Sequence, residues 1–336
     1  MNTKKLEFKI KNKKYNSRNT LIIAEAGSNH NQSFYLAKKL IDIAAKTGCD
    51  AVKFQLFKAD KIIQKKFSGW SILNKLELND KWLKPLKKYA NKKKLFFGVS
   101  PFDLQSLSKI KKINVDFIKI ASTEIQDLTL IEKAAKIKKP LILSTGAANT
   151  VDISTAYQAI NKKHKNFAFL HTVSIYPANV SQLNLNAIET MKTFFGVPIG
   201  FSDHSEGYIM PCVAVAKGAN IIEKHITFNK KAKGPDHFFS LEEQELKKMV
   251  RAIRDTEISL GNSLKKPAIE NERKNLARRV VLYNSKKKGE KINANDLIIL
   301  RADEKGIMPI DITKVIGLCL CKNKKKNEIL KWSDFK

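Results

Sequence analysis

The sequence predicts a (β/α)8 barrel followed by a small β-rich domain, and three observations carry this. Eight short apolar runs recur along the chain, lysine-rich stretches of helical period separate them, and nearly every run ends in a residue able to do chemistry. Strand and helix alternating eight times over roughly 250 residues is the sequence form of such a barrel. Parallel strands buried on both faces should be almost uniformly apolar, so polar residues at their C-terminal ends are not explained by the core.

The elements follow in order. Residues 6–15 (LEFKIKNKKY) alternate apolar and charged side chains, predicting a hairpin inside an N-terminal cap of residues 1–18 that closes the bottom of the barrel. The barrel is expected over residues 19–261, with strands at 21–27, 51–57, 95–101, 117–122, 141–146, 167–173, 198–204 and 220–227. Helical stretches between them include 33–46, 103–112 and 129–138. The last barrel helix is expected to carry Leu246, Met249, Val250, Ile253, Ile258 and Leu260 and to stop at Gly261-Asn262. Residues 262–276 (NSLKKPAIENERKNL) have the composition of a linker. Over 277–336 the pattern changes to short β segments (RRVVLYN, DLIILRA, TKVIGLCLC), with a turn at Lys288-Gly289-Glu290, a helix start at 293–296 and an exposed turn at 322–326. So short a domain has a small core and is expected to lean on the barrel or on a neighbouring subunit.

A chain of 336 residues with 43% hydrophobic content supports a sizeable core. Its formal net charge of +31 attracts anions, nucleic acid or an acidic membrane. Yet 56 of the 63 basic residues are lysine, spread over nearly every helix without interleaved aromatics. Solvated helix faces account for that better than a nucleic-acid surface. The N-terminal MNTKKLEFKIKNKKYN has no apolar core of a signal peptide, and no apolar run approaches the ~20 residues of a spanning helix. With only four cysteines besides, a cytoplasmic protein without membrane contact is expected. Cys319 and Cys321 form a lone C-x-C with no second Cys or His pair nearby, which does not make a metal site.

The rim residues then define the chemistry. His204 and His225 end the neighbouring seventh and eighth runs, so their imidazoles converge over the barrel mouth. Either histidine alone reads as a packed strand-end residue; the pair, flanked by Asp203 and Glu223 as orienting groups, suits a Lewis-acid divalent ion with open positions for oxygens. Lys53 and Lys119 also end strands, and with hydroxyls from Ser100, Ser122, Ser144 and Ser202 they read as an anion clamp rather than one activated amine. Glu25 reads either as an acid/base group or sugar-hydroxyl acceptor, or as a buried partner of Lys53; Glu124 and Asp236 are spare carboxylates. The set suits a phosphorylated small acid reacting with a carbonyl compound polarised by metal. No GxGxxG, Walker or G-x-S-x-G motif occurs, which argues against dinucleotide, P-loop and α/β-hydrolase chemistry.

IAEAGSNHNQ, AVKFQLFKA, GVSPFD, IKIASTE, LILSTGA, SIYP, IGFSDHS, EKHIT and GPDHFFSLE stand in the order and spacing of the sialic acid synthases. Over nearly its whole length the chain resembles N-acetylneuraminate synthase and its relatives, the legionaminate and pseudaminate synthases. Its tail, NSKKKGEKINANDLIILRADEKG, resembles the antifreeze-like (SAF) domain of that family. The resemblance implies a transferase that condenses phosphoenolpyruvate with open-chain N-acetylmannosamine and water, giving N-acetylneuraminate and phosphate; the alternative is a legionaminate or pseudaminate synthase acting on a 2,4-diacetamido hexose. It implies Mn2+ or Mg2+ on His204 and His225, and phosphoenolpyruvate contacts from Lys53, Lys119, Ser122, Ser144 and Ser202; of two further substrate-binding positions, Ser100 stands where members often carry Thr and keeps the hydroxyl, and Ser174 stands where some carry Asn, so that a phosphate contact there is shorter or lost. It places Glu25, Gln55, Glu124, Tyr176 and Asp236 around the amino sugar and metal-bound water. It also implies that Arg301 reaches the partner's active site in a domain-swapped homodimer, although the family's usual R-P-G-x-G beside this arginine is here RADEKG.

Overall fold

The computed structural model describes residues 6–266, 268–269 and 276–336, so the expected linker lies partly outside the described residues. The chain divides into two compact units, Met1–Gly261 and Asn262–Lys336.

In the first unit, β1 (Phe8–Ile10) pairs antiparallel with β2 (Lys13–Tyr15). Eight parallel strands then close a barrel: β3 (Leu21–Gly27), β4 (Ala51–Leu56), β5 (Phe96–Pro101), β6 (Phe117–Ile120), β7 (Leu141–Ser144), β8 (Phe167–Thr172), β9 (Ile199–Asp203) and β10 (Ile221–His225), with β10 beside β3. Each falls on an expected apolar run. The hairpin plugs the bottom: Phe8, Ile10 and Tyr15 are buried against Leu21, Ile23, Ala51, Phe117, Ile142 and Ile221. Gly98 makes room there, since a Cβ on it would sit 2.1 Å from the Phe117 ring.

Helices cover the outside where side chains cap them. Ser33 accepts from Leu36 N at the start of α1 (Phe34–Lys46), and Asp103 accepts from Gln105 N and Ser106 N at the start of α5 (Leu104–Ile113). Between β4 and β5 lie α2 (Ala59–Ile62), α3 (Gly69–Asn74) and α4 (Leu83–Lys92); α6 (Leu128–Lys136), α7 (Thr150–Asn161), α8 (Ala187–Phe195) and α9 (Ile209–Ala216) follow the next strands. The last barrel helix, α10 (Glu243–Ser259), buries Leu246, Met249, Val250 and Ile253 but not the expected Ile258 and Leu260, which are 79% and 43% exposed. One turn after Ile253 the inward position is Glu257, whose carboxylate takes the Thr20 N–H and the Arg254 guanidinium.

In the second unit, β11 (Arg278–Leu282) pairs antiparallel with β12 (Leu297–Arg301). Val280, Leu282, Ile292, Ile307, Val315, Leu320 and Leu330 form its core. The expected strand TKVIGLCLC is not one. Val315 belongs to a short helix, α11 (Ile312–Val315), Gly317 turns the chain at φ +92°, and only isolated bridges at Cys319 and Leu320 remain. The 322–326 turn is not wholly exposed either: the Lys324 side chain is 10% exposed and lies 3.1 Å from the buried Asp334 carboxylate. Among the described residues no helix is long and apolar enough to cross a membrane.

Candidate active site

Strand register assembles the site at the C-terminal rim. Glu25 stands opposite Lys53 and His225, Gln55 opposite Ser100, and Glu223 opposite Ser202. Because side chains alternate along a strand, Lys53 with Gln55 and Glu223 with His225 share the inner face. The cavity above them measures about 380 Å3.

Its floor is an ionic network. Lys53 Nζ lies 2.7 Å from Glu25 Oε2 and 3.6 Å from Glu223 Oε2, and Lys119 Nζ lies 3.3 Å from Glu223 Oε1. Ser202 Oγ donates to Glu223 Oε1 at 3.0 Å, Lys53 Nζ to Ser100 Oγ at 3.0 Å, and Gln55 Nε2 to Glu25 Oε1 at 2.9 Å. Burial works against the Glu223 charge, but Lys119 and Lys53 outweigh it and hold the carboxyl well below its ordinary range. Glu25 goes the other way: burial and Glu223 raise it against the pull of Lys53. Burial likewise lowers Lys119, whereas Glu223 and Glu25 keep Lys53 above its usual value despite its burial. The two carboxyls therefore divide their roles, one fixed as an anion and one with raised proton affinity.

Above Lys119, the loops after β6, β7 and β8 make a cradle. Gly146 N donates to Ser122 Oγ at 3.1 Å, and a Cβ on Gly146 would lie 2.4 Å from Ser174 Oγ and 3.2 Å from Ser122 Oγ. Ser144 Oγ points in, buried and without a hydrogen-bond partner. Hydroxyls and an ammonium around one space suit a phosphate or carboxylate.

Across the mouth, the His204 and His225 rings lie 5.5 Å apart. Val173 O sits 2.7 Å from His204 Nδ1, which places the proton on that nitrogen and leaves Nε2 as a lone-pair donor. Burial pushes His204 down to about 4 and His225 well below the ordinary histidine range, so both imidazoles are neutral at physiological pH. His225 Nδ1 is buried without a hydrogen-bond partner, 3.9 Å from Asp236 Oδ2, which accepts from Ser28 Oγ at 3.2 Å. Among the described residues no group of three or more His, Cys, Asp or Glu is arranged to hold a metal ion. Two neutral imidazoles with an unused lone pair still fit a divalent cation whose other positions fall to water and substrate oxygens. Tyr176 packs on His204 with ring centroids 4.1 Å apart.

Of the residues expected from sequence, Glu25, Gln55, Lys119, Ser122, Ser144, Ser174, Tyr176, His204, His225 and Asp236 line the cavity. Lys53, Ser100 and Ser202 act from beneath, through Glu25 and Glu223. Glu124 is not among the lining residues; its carboxylate is taken up by the Thr123 hydroxyl at 2.7 and 2.8 Å. Arg301 ends β12 in the second unit. Glu223 was read from sequence only as an orienting group, yet it is the hub of the floor. Its spacing of two from His225, on one strand face, is the signal that marks it. An apolar side formed by Phe57, Ile62, Leu73, Leu76 and Phe102 went unread.

Residues 40–265 match the family model described as the NeuB family, and residues 287–336 match the SAF domain. The chain is 39% identical over 332 residues to the N,N'-diacetyllegionaminic acid synthase of Campylobacter jejuni, covering 93% of this chain and 99% of that one. It is 31% identical over 312 residues to the human N-acetylneuraminate-9-phosphate synthase, covering 88% and 87%. Among solved structures it resembles the N-acetylneuraminic acid synthetase of Leptospira borgpetersenii, crystallised with citrate, at 37% identity and a TM-score of 0.77, covering 80% and 95%.

Proposed function

The chain belongs to the NeuB family, and from that premise we propose that it condenses phosphoenolpyruvate with the open-chain aldehyde of an N-acylated amino sugar, releasing phosphate and leaving a nine-carbon 2-keto acid. The observation that carries this reading is the joint placement, in one cavity, of an ionic floor, an anion cradle and two neutral imidazoles. Relatives named as N,N'-diacetyllegionaminic acid synthase and N-acetylneuraminate-9-phosphate synthase support the reaction class, and with the N-acetylneuraminic acid synthetase among the solved structures they leave N-acetylmannosamine, its phosphorylated form and 2,4-diacetamido sugars as the candidate acceptors.

In this scheme, a bond forms between the enol carbon of phosphoenolpyruvate and the aldehyde carbon, water adds at the resulting cationic centre, and phosphate leaves by carbon–oxygen cleavage. A divalent cation held by His204 and His225 would supply Lewis-acid polarisation of the aldehyde oxygen. Lys119, Ser122, Ser144 and Ser174 hold the anionic donor, the Gly146 N–H orients the Ser122 hydroxyl, and Lys53 fixes the charge beneath. Glu223, ionised between the lysines, faces the positive charge that develops on the donor. Glu25, hydrogen-bonded to Gln55 and raised by burial, is the carboxyl suited to carry a proton between the attacking water and the new hydroxyl. Asp236 and Tyr176 border the aldehyde side. In the same reading the protein works as a homodimer in which Arg301 contacts the acyl group in the partner's site.

Phosphate release tests the proposal. With phosphoenolpyruvate, an N-acylated amino sugar, Mn2+ and 18O-labelled water, the label should enter the keto acid and not the phosphate. Phosphate release that needs no sugar, or label in the phosphate, would overturn it.

A further inference from the structure

Asp236 borders the cavity from a loop and not from a strand, so its place depends on what holds that loop. The loop leaves β10 at Ile226 and returns at Leu241, where the two residues form a single bridge that closes its base. Because β10 pairs with β3, it lies beside the shorter loop that follows β3.

The β3 loop reaches across at three points. Asn29, 1% exposed, uses both amide hydrogens, on Ile226 O at 2.9 Å and Ser240 Oγ at 3.0 Å. Ser28 Oγ donates to Asp236 Oδ2 at 3.2 Å. Asn31 Nδ2 donates to Lys233 O at 3.0 Å, and Asn31 Oδ1 stands 3.1 Å from His237 Nε2. The polarity of this last chain is determined. With Nδ2 taken by a carbonyl, Oδ1 is the acceptor, so His237 Nε2 carries the proton. His237 Nδ1 then accepts from the Thr227 hydroxyl at 2.6 Å. The ring is fully buried, and burial lowers it from the ordinary histidine range, which favours this neutral form.

The bonds land on the peptide that carries Asp236: one three residues before it, one on the residue after it. Ser240 Oγ adds a third, to the Asp236 carbonyl. The reach has a backbone cost. Asn31 and Gln32 sit consecutively in the left-handed region, at φ +46° and +51°, where residues other than glycine are uncommon. Gly234, at φ +149°, lets the chain pass the ring, since a Cβ there would lie 2.7 Å from His237 Cδ2. Packing alone asks for neither feature.

We propose that Asn31 and His237 are positioning residues for the condensation: neither lines the cavity, and they act by holding the Asp236 carboxylate at its place 3.9 Å from His225 Nδ1, on the side where the acceptor aldehyde lies. The inference rests on the phosphoenolpyruvate-dependent reading above.

The test uses phosphoenolpyruvate, Mn2+ and whichever of N-acetylmannosamine and 2,4-diacetamido-2,4,6-trideoxymannose the wild type turns over. Asn31 is half-buried in a loop, so Asn31→Ala should keep the barrel intact by circular dichroism. It should lower kcat/KM for the amino sugar by about 10- to 100-fold, the range for losing a group that orients an active-site residue. The KM for phosphoenolpyruvate, Mn2+ binding by equilibrium dialysis and phosphate binding by calorimetry should stay nearly unchanged. His237→Phe should match it, and His237→Gln, which keeps a donor toward Asn31, should recover most of the loss. In an Asp236→Asn background, Asn31→Ala should cost no more than about 2-fold, the scatter of such cycles.

Losses that multiply in the double variant would overturn the inference and leave the reaction standing. So would wild-type turnover in Asn31→Ala, Mn2+ and phosphate binding that weaken with it, or His237→Gln as poor as His237→Phe. No phosphate from the wild type with either sugar would overturn the reaction itself, and the inference with it.

Discussion

Lys224 Nζ lies 2.6 Å from Asp203 Oδ2, with both side chains fully buried. Alternation turns this pair outward, since Ser202, Glu223 and His225 on the same two strands face the cavity. Lys224 also donates to the Ser205 carbonyl, and Asp203 Oδ1 accepts from Ser205 N at 2.9 Å and Ser205 Oγ at 2.7 Å. The pair thus ties β9 to β10 at the point where each delivers a histidine. Lys224→Met strands a buried carboxylate and should cost about 3–5 kcal/mol. Thermal unfolding of the two single variants and of Lys224→Met with Asp203→Asn checks it: the double variant should lose much less than the sum, and strict additivity would refute the coupling.

Glu223 is the only carboxylate within salt-bridge reach of both floor lysines among the described residues. Glu223→Gln keeps the shape and removes the charge that Lys119 and Lys53 surround. Turnover should fall by about 100-fold or more, the scale of losing one preorganised electrostatic group. Inorganic phosphate should bind at least as tightly, because the floor becomes more positive. Weaker phosphate binding measured by calorimetry would contradict this account of the floor.

The histidine pair makes a prediction that needs no turnover. Equilibrium dialysis against Mn2+ should show stoichiometric binding to the wild-type protein and its loss in His204→Ala and in His225→Ala. Circular dichroism should show the barrel intact in both. Retained Mn2+ binding in both variants would place the ion elsewhere.

Most of the barrel was readable because parallel strands covered on both faces leave uninterrupted apolar runs, and because Ser33 and Asp103 cap helices where their spacing places them. What failed did so for local reasons. Val315 and Ile316 look like strand residues, but Gly317 in the left-handed region ends the segment after one helical turn. The rim lysines and histidines were conspicuous as polar breaks in apolar runs, whereas Ile62 and Leu73 sit in helices of four and six residues and Leu76 in the turn after them, too short for a hydrophobic period to point at a cavity. Glu124, next but one to Ser122 in sequence, has its carboxylate hydrogen-bonded by its neighbour Thr123.

The second unit should lose stability in acid through Asp334. Its carboxylate is buried, with Lys322 Nζ at 2.7 Å and Lys324 Nζ at 3.1 Å. Burial alone would raise it, but the hydrogen bonds from Lys322, Lys324 and the Lys331 backbone leave it lowered. A carboxyl depressed in the folded state contributes stability that is present above the ordinary carboxylate range and lost as pH falls below about 4. Hydrogen exchange of the Cys321 amide, which bonds the Asp334 carbonyl at 2.9 Å, reports this locally. Protection should drop in acid for the wild-type protein. In Asp334→Asn it should already be lower at neutral pH, by about 1.5–3 kcal/mol, with little further acid dependence.

Arg301 carries the test of the proposed dimer. It ends β12 exposed to solvent, in a unit whose core holds seven buried side chains among the described residues. If it meets the acyl group of a sugar bound in the partner's barrel, Arg301→Ala should raise the KM for the amino sugar and leave that for phosphoenolpyruvate nearly unchanged. Lys119→Ala, by contrast, disables the barrel that contains it. Mixing the two impaired proteins under conditions where subunits exchange, at an amino-sugar concentration below the raised KM, should restore part of the activity, because one site of each mixed dimer combines an intact barrel with an intact arginine. Exchange shown by a mass label, with no activity returning, would mean that each site is completed within one chain and would overturn the swapped arrangement.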